Sequence, residues 1–191
     1  MSPRVGLEKK VILKAAADIA NTDGIDSLTI TTLAVKLNIK PPSLYNHVKN
    51  LHDLRKQLAV YGLEQLYFTL NESIEGLKGD KAVKALAWAY VTFVRTHPGL
   101  YSISLSAPDP EDKTLYEAGE RVVTLALEAL EPFEFEKEEA LHVVRGLRSI
   151  LHGFASLEQN GGFGLNLSTD ESMSLLLDAY LLGIHTKQNH C

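Results

Sequence analysis

The sequence predicts an all-α protein of about nine helices, a small N-terminal three-helix domain followed by a larger helical one. Three observations carry this. Apolar residues recur at helical spacing in almost every segment. No run alternates in the manner of a half-buried strand. Breaks at Gly24, at Gly76 and Gly79, at Pro98-Gly99 and at Gly161 to Gly164 separate the periodic segments.

The first helix is expected over Leu7 to Asn21, with Val11, Ile12, Ala15, Ala16 and Ile19 as its apolar stripe. Thr22-Asp23-Gly24 should stop it, Gly24 serving as a left-handed C-terminal residue. Thr29 is a good N-cap for a short second helix carrying Ile30, Leu33, Ala34 and Leu37. Asn38 suits a tight left-handed turn, and Pro41-Pro42 opens a third helix carrying Leu44, Tyr45 and Val48. A long amphipathic helix should run from Leu51 to about Ile74 and break at Gly76 and Gly79. Asp80 is a cap for a helix over Lys81 to Thr96, which His97-Pro98-Gly99 interrupts. A short helical piece, Leu100 to Leu105, leads into a turn at Pro108-Asp109-Pro110. Helices follow over Asp112 to Leu130, Lys137 to Gln159 and Thr169 to Lys187, with a Gly161 to Gly164 loop before the last.

Composition narrows the function classes. At 191 residues, 45% hydrophobic and 23% charged, the chain can bury a sizeable core. MSPRVGLEKK lacks the apolar stretch of a signal peptide, and the longest apolar run, Leu175 to Ile184, is broken by Asp178. It falls short of the roughly 20 residues that cross a bilayer. The one cysteine, terminal Cys191, suits neither an internal disulfide nor a thiolate metal site, which fits a reducing cytoplasm. We therefore expect a soluble cytoplasmic protein. The net charge of −5 hides an asymmetry: nine Lys or Arg against five acids make residues 1–57 +4, leaving −9 for the remainder. Such a split hints at a polyanion-binding part, though a solvated basic face looks the same.

Two short helices joined by a tight turn behind a basic helix are the ingredients of a helix-turn-helix. Ile30, Leu33, Ala34, Leu37, Ile39, Leu44 and Val48 are its expected buried positions, and Lys40, Ser43, Asn46 and His47 its exposed ones. Helical spacing alone leaves a plain bundle open. The stretch TITTLAVKLNIKPPSLYNHVKNLHDL goes further: with Thr29, Ala34, Ile39, Leu44, Tyr45, His47 and Lys49 in place, it resembles the DNA-binding segment of the TetR family of bacterial repressors.

The resemblance implies a DNA-binding domain over residues 1–55 and an effector-binding and dimerisation domain over 56–191. It implies base-edge contacts from Lys40, Pro41, Pro42, Ser43 and Asn46, and phosphate contacts from Thr29, Thr31, Tyr45, His47 and Lys49. The Tyr45 ring has a competing place in the small core, and Arg4 is either an arm to the duplex or a solvated tail. Two departures stand out: Asn38 replaces the usual turn glycine, and Leu51 replaces a phosphate-binding lysine, a charge that Lys49, Arg55 or Lys56 would have to supply.

His152-Gly153, Leu157-Glu158 and Gly161 to Gly164 resemble the closing region of one subgroup of that family, whose last two helices form a four-helix bundle with a second copy. Leu147, Ile150, Leu151, Phe154, Leu175, Ala179 and Leu182 are the expected homodimer surface. For a small-molecule effector, Tyr61, Leu66, Trp88, Tyr90, Phe93, His97, Tyr101, Tyr116 and Phe154 are candidates to line a pocket, though each also reads as ordinary core. No cofactor or metal is called for. The seven histidines show no HExxH spacing, Ser149 near His152 lacks a nucleophile elbow, and Glu138, Glu139 and His142 read as a solvated face, so no catalytic residue is assigned. The resulting expectation is a ligand-responsive regulator, most simply a repressor that leaves a near-palindromic operator when a small molecule binds. An activator, or a helical interaction module without DNA binding, remains the alternative.

Overall fold

The computed structural model describes residues 7–105 and 112–188; Arg4, the Pro108-Asp109-Pro110 turn and Cys191 lie outside them. Among the described residues there are nine α-helices and no strand. They are α1 (Lys9–Asp23), α2 (Ile30–Lys36), α3 (Pro41–Leu44), α4 (Leu51–Ser73), α5 (Asp80–Thr96), α6 (Pro98–Ile103), α7 (Lys113–Leu130), α8 (Lys137–Gln159) and α9 (Thr169–Gln188). The chain divides into two compact units, Met1–Gln65 with Thr96–Gly119, and Leu66–Arg95 with Glu120–Cys191. Helices α4 and α7 each contribute residues to both.

In the first unit, Ile12, Ala16, Leu28, Leu33, Leu44, Leu54 and Leu58 are buried. Val11 departs from the expected stripe: it is exposed, because Leu13 turns inward with Ile12 on α1. Gly24 stops α1 with a positive φ of 84°, but its ψ of 159° is extended, not left-handed helical. The chain then makes a 3-10 turn, Ile25–Ser27, that has no periodicity to announce it.

Helix α6 begins earlier than expected. His97-Pro98-Gly99 does end α5, but Pro98 also opens α6 at its first position, where a missing N–H costs nothing. Gly99 then lies so close to α1 that a Cβ there would stand 1.9 Å from the Ala20 carbonyl oxygen. The Leu100 N–H donates to Asn21 Oδ1 at 2.8 Å, so the α1 side chain caps α6. On α4, a Cβ at Gly62 would meet Ser104 Oγ and the Leu100 carbonyl, so α6 is tightly held on this side as well.

The second unit buries Val83, Leu86, Val91, Phe93 and Val94 from α5, Leu125 from α7, Leu147 and Leu151 from α8, and Met173, Leu177, Leu181 and Ile184 from α9. Polar ties surround this core. Tyr180 donates to the Val143 carbonyl at 2.6 Å, and burial pushes its hydroxyl pKa up to about 12. Arg95 grips Glu158 through two bonds of 2.6 and 2.8 Å and reaches Asp170 at 2.8 Å, joining α5 to the facing ends of α8 and α9.

That cluster makes a prediction about acid stability. The Arg95 bonds hold the Glu158 carboxyl below its ordinary 4.5. A depressed folded-state pKa contributes stability that is fully present above the unfolded value and is lost as pH falls through the folded one. Melting temperatures measured from about pH 7 down to about pH 3 should therefore fall less steeply below pH 4.5 in Arg95→Met than in the wild type. Equal slopes would mean that the pair contributes nothing to folding.

Candidate nucleic-acid interface

The site is built on three turns. At the first, Thr29 is extended, and its Oγ1 accepts the Thr32 N–H at 3.0 Å. Thr32 returns the bond, its Oγ1 accepting the Thr29 N–H at 2.9 Å, and the same hydroxyl lies 2.8 Å from the Ser27 carbonyl that it can donate to. This reciprocal capping satisfies backbone donors that α2 cannot satisfy itself. Thr32→Val keeps the shape and removes the hydroxyl; it should cost about 1 kcal/mol, read as a lower urea midpoint.

At the second turn, Asn38 takes φ 52°, the left-handed conformation its side chain tolerates, and the Ile39 N–H closes back on the Ala34 carbonyl at 3.0 Å. Lys40 is extended, and Pro41 and Pro42 start α3, with Leu44 fully buried as its anchor. The helix proper ends at Leu44, earlier than its predicted reach to Val48, although the Val48 N–H still bonds the Leu44 carbonyl at 3.0 Å. At the third turn, Asn50 Oδ1 accepts the Asp53 N–H and Asp53 Oδ2 accepts the Lys49 N–H, both at 2.8 Å, which fixes the start of α4. Neither Thr32 nor the Asn50–Asp53 pair was among the expected site residues, yet each leaves a spacing-of-three signature in the sequence.

Lys40, Pro41, Pro42, Ser43, Asn46, Lys49 and Thr31 are exposed; Thr29 and His47 are half-buried. Tyr45 is 56% exposed, so its ring does not fill the small core as the competing reading held. Ile30, Leu37 and Ile39 are half-buried where full burial was expected, whereas Leu33, Ala34, Leu44 and Val48 are buried. Of the cations named to stand in for a lysine at Leu51, two are engaged within the chain. Arg55 Nη2 donates to the Ile25 carbonyl at 3.3 Å, and Lys56 pairs with Asp112 at 2.7 Å, which lowers the Asp112 pKa. Lys49 is exposed beside the turn.

The pocket candidates divide between the units. Tyr61, His97, Tyr101 and Tyr116 belong to the first, where Tyr101 is buried, Tyr61 and His97 are half-buried and Tyr116 is exposed. Burial, reinforced by Asp18 and Glu64, raises the Tyr61 pKa. Leu66, Trp88, Tyr90, Phe93 and Phe154 belong to the second; Trp88 is half-buried and the others are buried. Phe154 lies against Phe163, with ring centroids 5.0 Å apart.

The expected surface for a second copy also divides. Leu147, Leu151 and Phe154 are buried within their own chain, because they share the α8 face of Val144. Ile150 is half-buried, while Leu175, Ala179 and Leu182 stand exposed on one stripe of α9.

Comparison with known proteins adds four likenesses. Residues 83–180 match the family described as the tetracyclin repressor-like C-terminal domain. The HTH-type transcriptional regulator YobS of Bacillus subtilis (strain 168) is 38% identical over 185 residues, covering 96% of both chains. The tetracycline repressor protein class D of Escherichia coli is 46% identical over 54 residues, 28% of this chain and 25% of that one. Among solved structures, TetR from Acinetobacter baumannii AYE superposes with a TM-score of 0.72 at 19% identity, covering 95% of this chain and 98% of that one.

Proposed function

The chain belongs to the TetR family of transcriptional regulators, and from that premise we propose that it is a homodimeric repressor that holds a near-palindromic operator and releases it on binding a small molecule. The observation that carries the reading is the exposed run Lys40-Pro41-Pro42-Ser43 with Tyr45 and Asn46, anchored from behind by buried Leu44. A short helix so placed offers donors, acceptors and apolar proline surface to base edges in a major groove. Thr29, Thr31, Tyr45, His47 and Lys49 lie where phosphates would run.

Dimerisation supplies the second recognition helix, and the exposed α9 stripe of Leu175, Ala179 and Leu182 is the surface we assign to it. The effector would sit among the aromatic candidates of the second unit, Trp88, Tyr90, Phe93 and Phe154. It acts only if its affinity differs between the binding and releasing arrangements. The close packing of α6 on α1 and on Gly62 of α4 supports a route by which a shift of α6 moves the DNA-binding helices.

Selection from a random duplex pool tests the reading. Enrichment of a near-palindrome with half-sites about one helical turn apart, bound less tightly as salt rises, is the expected result. A pool that yields no preferred sequence at low salt, even after the protein is denatured and refolded to strip a bound ligand, would sink it. A reporter carrying the enriched site then separates repression from activation.

A further inference from the structure

The 3-10 turn Ile25–Ser27 is gripped from three sides. Ser27 Oγ donates to the Asp23 carbonyl at 2.8 Å, tying the turn to the end of α1. Thr32 Oγ1 lies 2.8 Å from the Ser27 carbonyl, tying it to the start of α2. Arg55, from the second turn of α4, donates through Nη2 to the Ile25 carbonyl at 3.3 Å and lies 3.9 Å from Asp26. The guanidinium is thus the side-chain tie from α4 to the turn that orients α2.

This tie has a cost. Arg55 Nε is buried with no hydrogen-bond partner among the described residues. A buried unpaired donor costs about 1–3 kcal/mol, which an apolar side chain at this position would avoid. The Nη2 bond to the turn thus comes with an unpaired Nε, which points to a functional demand on the position of the turn. The site already described supplies one, because α2 and α3 read DNA only if held at a fixed angle to α4.

Resting on the DNA-binding reading above, we infer that Arg55 is a positioning residue for operator recognition, acting through the Ile25–Ser27 turn and not by meeting a phosphate. A cation that meets a phosphate releases counterions and weakens all duplexes alike when removed. One that sets the angle of the reading helices affects the matched sequence alone.

The test uses full-length Arg55→Met and Arg55→Lys, the duplex enriched by the wild type and a scrambled duplex of equal length, across a salt series. Arg55→Met should lose about tenfold on the enriched duplex. On the scrambled one it should stay within about twofold of the wild type and keep the wild-type salt slope. Arg55→Lys keeps the charge but not the fork, and should show the same selective loss, smaller in size. If the methionine variant does not fold, the lysine variant decides alone. Equal losses on both duplexes with a slope shallower by about 0.9, restored by lysine, would make Arg55 a phosphate contact and overturn the inference. Wild-type affinity in either folded variant would overturn it too. A wild type that enriches nothing sinks the DNA-binding reading itself, which is a separate failure.

Discussion

Gly99→Ala should destabilise the protein by about 3 kcal/mol, lowering the melting temperature by about 6–12 °C, although alanine is the better helix former. The added Cβ would stand 1.9 Å from the Ala20 carbonyl oxygen, 2.1 Å from its carbon and 2.7 Å from the Asn21 nitrogen. All three are backbone atoms, so no side-chain rotation relieves the clash; α6 must withdraw from α1. Withdrawal also breaks the 2.8 Å bond from the Leu100 N–H to Asn21 Oδ1. Asn21→Ala is the instructive companion, since it removes that bond without adding volume and should cost only about 1 kcal/mol. If the proposed route through α6 is right, Gly99→Ala also weakens operator binding well below its melting temperature. A Gly99→Ala protein as stable as the wild type would show that the α1–α6 contact yields easily and cannot transmit a displacement.

This contact marks where sequence reasoning stopped. Pro98-Gly99 was legible as an interruption of α5, because both residues break helices. Their second role, starting α6 and letting it meet α1 backbone to backbone, depends on a neighbour 78 residues earlier, Asn21 counted from Gly99. Local signals fared better. Thr29 as a cap, Asn38 in the left-handed turn and Pro41 at a helix start each follow from the residue's own chemistry and stand as read. Thr32 escaped notice because the usual capping signature ends in Glu or Gln, and here a threonine hydroxyl serves instead. The Ile25–Ser27 turn was too short to carry a period, and with it went any reason to give Arg55 a part beyond the charge missing at Leu51.

Helical periodicity has a further blind spot. A stripe of leucines announces that it will be buried without saying against what. On α8, Leu147 and Leu151 are satisfied within their own chain, 4% and 1% exposed. On α9, Leu175 and Leu182 are 70% and 67% exposed, and the missing Cβ of Gly183 would meet nothing within 4 Å. Substitution at the α8 pair would unfold the protomer and say nothing of assembly. The α9 pair is the informative one, because carboxylates there are solvated in the isolated chain and cost little. In a two-fold interface each change counts twice, so Leu175→Glu with Leu182→Glu would bring four carboxylates together in place of four leucines, each leucine worth about 1.5–3 kcal/mol when buried. The double variant should keep its helical circular dichroism and sediment as a monomer at micromolar concentration. It should also bind the enriched palindrome about 10²–10⁴-fold more weakly, since the second half-site no longer binds as part of the same molecule. Affinity for an isolated half-site should not change. A variant that remains dimeric would move the interface off this stripe. One that sediments as a monomer yet holds the palindrome at wild-type affinity would mean that the protein reads its operator without pairing.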